Sequence, residues 1–272
     1  MICFPNAKIN LGLNVVSKRP DGYHNIETIF YPIPVKDALE IVASDQPSFT
    51  QTGIPVDAPQ EKNLVIKALN ALKTRYEIPP LEIHLLKAIP FGAGLGGGSA
   101  DAAFMLKLLN EHYNLQLSDN QLEDYAATLG ADCAFFIKNT PTYAEGIGNI
   151  FSPIELSLKG YRMMIVKPDV FVSTREAFAN IRPHRPEYPV REVIRRPVAE
   201  WKDTLINDFE ASVFPQYPVI GEIKEELYHQ GAIYASMSGS GSSVFGLFAA
   251  DTTLPEIDWG TNAFCFKGTL SE

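Results

Sequence analysis

The stretch IPFGAGLGGGSADAAFMLKLL, residues 89–109, decides the interpretation of this chain. Five of the seven residues between Gly92 and Gly98 are glycine, and an apolar pattern with helical spacing follows at once. Leu81, Ile83 and Leu85 alternate with polar residues just before it, which predicts a strand. Glycines let the main chain approach a ligand closely, and the free amides at a helix N-terminus attract anions. The order strand, glycine-rich turn, helix therefore predicts a phosphate-binding loop.

Three other interpretations of this loop are possible. It lacks the Gly-Lys-Ser/Thr ending of a P-loop, which excludes that class. Gly92, Gly94 and Gly97 do match the dinucleotide pattern G-x-G-x-x-G, but the acidic residue at the right distance, Asp119, begins a helix instead of ending a strand. The nicotinamide interpretation is thus disfavoured but open. A plain connection that binds nothing is also disfavoured, because ordering so many glycines is entropically costly.

Composition limits the function classes. The chain of 272 residues has 23 basic and 32 acidic residues, a net charge of −9, which argues against general binding of nucleic acid or anionic membranes. Cys3, Cys133 and Cys265 form neither a disulfide framework nor a zinc pattern. The N-terminal residues do not resemble a signal peptide, and no apolar run approaches the ~20 residues of a membrane span. We expect a cytoplasmic protein with reduced thiols and no nucleic-acid or membrane partner.

Hydrophobic periodicity predicts mixed helices and strands. Strands are expected at AKINLGLNVV, IETIFYPI, LEIV and around Leu81–Leu85, with a turn at KRPDGYH. Helices are expected between Glu61 and Glu77, capped by Asn63, after the glycine loop, and from a Ser118–Gln121 capping box to a stop at Gly130. Ile9, Leu11, Leu13 and Val15 are expected to share the buried side of the first strand.

The second half of the chain is expected to form a separate domain. EGIG predicts a turn between two short strands, and YRMMIVKP starts a new strand at Tyr161. We place the boundary near residue 157, giving domains 1–157 and 158–272. The tail then alternates strand and helix patterns, and the Arg182–Pro197 run is interpreted as a solvated surface loop with a basic character.

Three motifs occur in an order that resembles the GHMP kinase superfamily: PNAKINLGL at residues 5–13, PFGAGLGGGSA at 90–100 and MSGSGSSVF at 237–245. KRPDGYHNIETIF at 18–30, KNL at 62–64 and LGADCAFF at 129–136 resemble the branch whose small-molecule substrate carries a cytidine diphosphate group. The resemblance spans almost the whole chain. It implies an enzyme that transfers the ATP γ-phosphate to an alcohol, with ATP and Mg²⁺ as cofactors.

The same resemblance implies the fold. It would be α+β with two domains, an N-terminal α/β domain containing a left-handed crossover and a C-terminal ferredoxin-like domain. A left-handed crossover runs against the general preference for right-handed ones. The active site would lie in the cleft between the domains.

Two catalytic residues are implied. Asp132 matches the catalytic aspartate, which takes the proton from the attacking hydroxyl. Lys8 matches a strand lysine that stabilises negative charge on the transferring group. Without the resemblance, a helix N-cap would be the preferred interpretation of Asp132, and a solvated edge-strand lysine that of Lys8.

The remaining candidates bind ATP, metal or acceptor. ATP would contact the loop residues Pro90, Phe91, Gly92, Ala93, Gly94, Leu95, Gly96, Gly97, Gly98, Ser99 and Ala100. Asn63 and Lys87 would line the adenine side, and Ser99 is the candidate metal ligand; no glutamate partner for it can be picked out. The acceptor would contact Asn10, Gly239 and Gly241. Its base would stack on Tyr23 and Phe178 and hydrogen-bond to His24. Without the resemblance, an ordinary turn and a helix-borne phenylalanine would be the preferred interpretation of these three residues.

Three rival functions remain. A sister GHMP enzyme, such as a mevalonate, homoserine or galactose kinase, is the nearest, but its substrate has no base to stack on Tyr23. A nicotinamide-dependent oxidoreductase and a non-catalytic nucleotide sensor are the others.

Overall fold

The computed structural model describes residues 1–55 and 59–271. Its strands are β1 (Ile2–Cys3), β2 (Asn6–Lys18), β3 (His24–Lys36), β4 (Ala38–Ala43), β5 (Ser48–Gly53), β6 (Leu81–Lys87), β7 (Thr142–Glu145), β8 (Ile150–Pro153), β9 (Arg162–Lys167), β10 (Tyr234–Met237), β11 (Val244–Phe248) and β12 (Phe264–Thr269). Its α-helices are α1 (Leu64–Lys73), α2 (Gly97–His112), α3 (Asp119–Leu129), α4 (Phe135–Lys138), α5 (Thr174–Ala179), α6 (Val190–Val193), α7 (Glu210–Val213) and α8 (Pro218–His229), with short 3₁₀ turns at Gln60–Lys62 and Val198–Glu200.

The chain folds into two compact units that are interleaved in sequence. Unit 1 comprises residues 1–8, 35–91 and 96–140, and unit 2 comprises residues 9–34, 92–95 and 141–272. This grouping differs from a single cut near residue 157, and the domains 1–157 and 158–272 remain a prediction.

Unit 1 is a four-stranded sheet covered by helices. The strand order is β1-β4-β6-β5, and only β5 and β6, the strands on either side of α1 in the chain, are parallel. Alternate residues of β6 are buried, as its pattern predicts, and α1 begins where the Asn63 side chain accepts a hydrogen bond from Val65 N at 2.9 Å. The β5-α1-β6 connection is the parallel crossover. Its left-handedness remains an expectation from the resemblance.

Unit 2 contains an antiparallel sheet in the order β10-β11-β9-β12. The first strand of this sheet, β9, therefore lies between the third and the fourth, as in a ferredoxin-like domain. Helix α8 packs on β10 and β11, and its buried Ile220, Ile223 and Leu227 join the apolar core of the unit. The mixture of helices with largely antiparallel sheets confirms the α+β class.

The third four-stranded sheet of the described chain, in the order β2-β3-β7-β8, contains the long strand β2, which carries Lys8 and Asn10. Ile9, Leu11, Leu13 and Val15 are buried as predicted. Lys8, Asn10 and Asn14 on the alternate positions are buried too, so the strand is enclosed on both sides. Alternation alone predicts only one buried face, and the polar side chains needed tertiary partners to be buried on the other.

Several local predictions need correction. The strand expected from Tyr161 begins at Arg162. The Arg182–Pro197 run is not wholly a solvated loop, because it contains α6, in which Val190 and Val193 are buried. Sequence patterns did not reveal β1, β5 and α4, which are short. Along the described ranges, no helix is both long and apolar enough to cross a membrane.

Candidate active site

The glycine-rich loop has the backbone that its sequence predicts. Gly92, Gly94 and Gly96 have φ values of 65°, 77° and 71°, a region that other residues rarely adopt. Helix α2 starts at Gly97 directly after them, and no described side chain caps its first turn. Its free amides and the helix dipole therefore supply the positive potential that a phosphate needs.

Within unit 2, the first part of this loop lies against the loop between β10 and β11. A Cβ atom on Gly94 would overlap the carbonyl oxygen of Ser238, and one on Gly241 would overlap the backbone of Ala93 and Gly94. The Ser238 hydroxyl donates to Gly94 O at 2.9 Å, and Ser243 N donates to Ala93 O at 3.2 Å. Glycine at positions 94 and 241 is thus required by close backbone packing.

Within unit 1, Lys8 and Asp132 lie together beside the same loop. Lys8 Nζ is 3.6 Å from Asp132 Oδ2, with the lysine side chain 4% and the aspartate side chain 34% exposed. A Cβ on Gly96 would come within 3.2 Å of Lys8 Cε, so the lysine stem packs on the loop. Burial lowers the pKa of Lys8, and the Asp132 carboxylate opposes that shift. The fold therefore brings a partly accessible carboxylate, a buried ammonium and the loop backbone together.

The alternative interpretations of these two residues are wrong. Asp132 lies in the turn between α3 and α4, and the N-cap of α4 is Ala134. Lys8 is not an edge-strand lysine facing water, since it is 3% exposed. Holding a buried ammonium against a carboxylate costs desolvation energy, which suits a functional pair better than a stabilising one.

Ser99 lies in the first turn of α2 and is half-buried. Burial raises the pKa of the neighbouring Cys133 thiol to about 11, an effect that a hydrogen bond to Ser99 partly offsets. In the described parts of the chain, no group of three or more His, Cys, Asp or Glu residues is placed to hold a metal ion. The Ser99 hydroxyl is an oxygen ligand of the kind that Mg²⁺ binds, and Mg²⁺ often takes its other ligands from phosphates and water.

Lys87 lies in a buried ionic cluster that the sequence did not reveal. Its ammonium contacts Asp37 Oδ2 and lies 2.7 Å from Asp101 Oδ2, and all three side chains are at most 6% exposed. Asp37 Oδ1 also accepts hydrogen bonds from the amides of Ala88 and Ile89. Burial raises the pKa of Asp101 to about 7 against the attraction of Lys87. These contacts fix the end of β6 to α2, and they give the Lys87 side chain a structural role.

Asn63 is also engaged locally. Besides capping α1, its Nδ2 donates to Gln51 Oε1 at 3.3 Å. The contacts of Asn63 and Lys87 therefore do not themselves point to adenine, and their place at the nucleotide stays a prediction. Phe91, in contrast, is 61% exposed and available to a ligand.

Asn10 is buried in unit 2, and both its main chain and its side chain form hydrogen bonds there. Its Nδ2 donates to Thr28 Oγ1 at 3.0 Å, and its backbone N donates to Ser238 Oγ at 3.2 Å. A Cβ on Gly239 would lie 3.1 Å from Asn10 Oδ1, and Gly239 itself has a φ of 58°. Unit 2 thus brings Asn10, Gly239 and the Gly94 segment into one network.

The three candidate base-binding residues also lie in unit 2. Tyr23 is 63% exposed at the turn before β3. The His24 and Phe178 rings stack with their centroids 4.8 Å apart, and Phe209 meets Phe178 edge-on at 4.7 Å. Burial, with a contribution from Lys18, lowers the pKa of His24 and so favours the neutral imidazole. Phe178 stands on α5, which is opened by a Ser173–Glu176 capping box.

Sequence reasoning missed Asp37, Asp101, Ser238, Asn207 and Glu210. Asn207 Nδ2 donates to Met237 O and Gly239 O, and Glu210 Oε1 accepts from Met237 N. Ser238 stood inside a quoted motif, but Asp37 and Asn207 are far in sequence from their partners, and no local spacing marks them.

Comparisons with known proteins show the family of this chain. Residues 63–139 match the family described as GHMP kinases N terminal domain, and residues 191–257 match GHMP kinases C terminal. The chain is 69% identical to the 4-diphosphocytidyl-2-C-methyl-D-erythritol kinase of Bacteroides thetaiotaomicron, with 99% of this chain and 100% of that protein covered. It is 70% identical to the protein of the same name from Parabacteroides distasonis, with 100% of both covered.

Solved structures extend the similarity. A crystal structure of 4-(cytidine 5'-diphospho)-2C-methyl-D-erythritol kinase superposes with a TM-score of 0.78 at 32% identity, covering 91% of this chain and 90% of that one. The mevalonate kinase of Methanococcus jannaschii gives a TM-score of 0.71 at 15% identity, covering 100% and 98%, and therefore shares the fold.

Proposed function

The chain belongs to the GHMP kinases, and within them to the 4-diphosphocytidyl-2-C-methyl-D-erythritol kinases, and from this premise we propose how its residues perform the reaction. The protein uses ATP to phosphorylate the 2-hydroxyl of 4-diphosphocytidyl-2-C-methyl-D-erythritol in the non-mevalonate route to isoprenoids. The oxidoreductase and sensor interpretations are thereby excluded.

The observation that carries the mechanism is the Lys8–Asp132 pair beside Gly96. Asp132 accepts the proton of the acceptor hydroxyl, for which its partial exposure gives access. The Lys8 ammonium stabilises the negative charge that develops on the oxygens during transfer. Because Lys8 is held between the carboxylate and the loop, it needs little rearrangement to do so.

The loop from Pro90 to Ala100 binds the triphosphate through its main chain. The free amides at the start of α2 donate to phosphate oxygens, and the bare glycines leave space for them. We propose Ser99 as a ligand of Mg²⁺. That ion, when bound, neutralises charge on the phosphates. Asn63 and Lys87 are proposed to border the adenine.

Recognition of the acceptor falls to unit 2 residues. Asn10 and the Gly239–Gly241 backbone are proposed to bind the methylerythritol end. Tyr23 and Phe178 are proposed to stack on the cytosine, and the neutral His24 to hydrogen-bond its edge. We also propose a cytoplasmic location, which the three free cysteines support.

The test is ADP release, measured by a coupled assay, across a small panel of acceptor alcohols with and without a cytidine diphosphate group. We expect turnover only with the cytidine diphosphate-linked methylerythritol. Equal turnover of mevalonate, homoserine or galactose would contradict the assignment.

A further inference from the structure

One buried hydroxyl in unit 2 connects the segment proposed to bind the acceptor with the segment proposed to bind the phosphates. The Oγ of Ser238 accepts a hydrogen bond from Asn10 N at 3.2 Å and donates one to Gly94 O at 2.9 Å. The residue is fully buried, so water does not compete for these bonds. A hydroxyl is one donor and a good acceptor, and both capacities are used here.

The position of Ser238 is fixed by its own segment. Its backbone N donates to Ser243 O at 2.9 Å, which closes the loop between β10 and β11. A Cβ on Gly94 would overlap the Ser238 carbonyl, so the two backbones are in direct contact. A shift of one of these segments therefore moves the other.

Two side chains from the NDFE segment support this loop from behind. Asn207, 1% exposed, donates to Met237 O at 2.8 Å and to Gly239 O at 2.9 Å, the residues on either side of Ser238. Glu210 accepts from Met237 N at 2.8 Å and from Lys224 Nζ at 2.6 Å. Every one of these buried polar atoms has a partner, which is the condition for a rigid polar network.

We propose that Ser238 is a positioning residue that couples binding of the acceptor, through Asn10, to binding of ATP, through Gly94. The inference rests on the proposed function, because it assumes that Asn10 and the glycine loop contact the two substrates. When a nucleotide fixes the position of the Gly94 segment, the shared hydroxyl carries that position to Asn10, and the acceptor then binds to a site already arranged. The hydrogen bonds from Asn207 to Met237 O and Gly239 O hold the backbone on either side of Ser238, and so keep its hydroxyl between Asn10 and Gly94.

Ser238→Ala removes the hydroxyl and little else, and Ser242→Ala is the matched control. Ser242 is equally buried in the same loop, but its hydroxyl donates to Val170 O at 2.9 Å. Calorimetry gives the Kd of a non-hydrolysable ATP analogue with and without the acceptor, and the ratio of the two values measures the coupling. Steady-state kinetics gives kcat and both KM values.

In the wild type, we expect the acceptor to tighten binding of the analogue by about fivefold or more, the lower end of ordinary coupling. In Ser238→Ala this ratio should fall close to one, and kcat should fall by about tenfold, because the reacting groups lose their alignment. Ser242→Ala should keep the wild-type ratio. A coupling ratio near one in the wild type, an unchanged ratio in Ser238→Ala, or an equal loss in Ser242→Ala would each overturn the proposal.

Ser238→Cys covers the case in which the alanine variant does not fold. A thiol keeps the size of the side chain but is a weak donor and acceptor, so the coupling should again be reduced. Full coupling in that variant would overturn the proposal. If the wild type bound no ATP analogue, the proposed function itself would fail, whereas binding without coupling would contradict this inference alone.

Discussion

The imidazole of His24 lies flat on the phenyl ring of Phe178, with the ring planes 16° apart. One face of Phe178 is therefore occupied, and Phe209 closes another side edge-on. The stack holds His24 in a fixed orientation, which the proposed hydrogen bonds to a pyrimidine edge require. Tyr23, one residue earlier and largely exposed, offers the freer aromatic surface to a base.

Tyr23→Ala should weaken the acceptor and leave the nucleotide almost unaffected. Base stacking on an aromatic ring is worth ~1–3 kcal/mol, so we expect the KM of the acceptor to rise by roughly tenfold or more. Stacking on the base is made in the ground state, so its loss should appear in the KM of the acceptor. The KM of ATP should change by less than about twofold, because Tyr23 is proposed to contact the acceptor and not the nucleotide. Steady-state kinetics with each substrate varied in turn measures both. Tyr188→Ala, at another exposed tyrosine of unit 2, is the control, and equal losses for both substrates in Tyr23→Ala would show that Tyr23 is not at the base site.

The charge on Lys8 should set the alkaline limit of activity. Burial lowers the pKa of Lys8 from the ordinary lysine value of 10.5, so the ammonium loses its proton as the pH rises through that lowered value. Turnover should fall on the alkaline side before an exposed lysine would titrate. Lys8→Met should lose at least about a hundredfold in kcat at neutral pH.

Lys8→Arg keeps a positive charge at position 8 but removes the group whose loss of a proton is expected to limit activity at high pH. Arginine stays protonated throughout this range, so its residual kcat should show no alkaline decline. Lys138→Arg, at a lysine 53% exposed, should behave as the wild type does. An unchanged alkaline limb in Lys8→Arg would mean that another group controls it.

Replacement by alanine should change the stability of the fold in opposite directions at two glycines of the glycine-rich loop. Gly94 has a φ of 77°, and an added Cβ would overlap the Ser238 carbonyl, so Gly94→Ala should destabilise the fold by at least about 2 kcal/mol. Gly98 lies inside α2, where an added Cβ meets only Leu64 Cδ1 at 3.8 Å, so Gly98→Ala should stabilise it by up to about 1 kcal/mol. Urea unfolding measures both free energies. Similar values for the two variants would contradict the packing described at Gly94.

Elements with a strong local signal could be predicted from the sequence. The cap at Asn63, the Ser118–Gln121 capping box and the alternation of β6 depend on residues close in the chain, and each is confirmed. Strands β1 and β5 are held by pairing with β4 and β6 rather than by their own composition, so no local pattern marks them. The buried face of β2 that carries Lys8 and Asn10 escaped prediction for the same reason.

In the candidate site, too, residues marked by a local motif could be predicted, and residues placed by contacts between distant segments could not. Asp132, Lys8 and the glycine loop were named from motifs, and the fold brings Lys8 together with Asp132 and with Gly96 of the loop in unit 1. The supporting groups were not foreseen: Asp37 lies 50 residues from Lys87, and Ser238 lies 144 residues from Gly94. Such contacts arise only when distant segments pack, and a single sequence carries no spacing that reveals them.

Replacement of Asp132 by asparagine tests the central claim most directly. Asparagine keeps the shape of the side chain but cannot take a proton, so kcat should fall by roughly 10²–10⁴-fold. The Kd of ATP, measured by calorimetry without acceptor, should stay within about threefold of the wild type, since the loop amides are untouched. Asp124→Asn, at an exposed acid of α3, should retain full kcat. Near-normal turnover by Asp132→Asn would contradict the account.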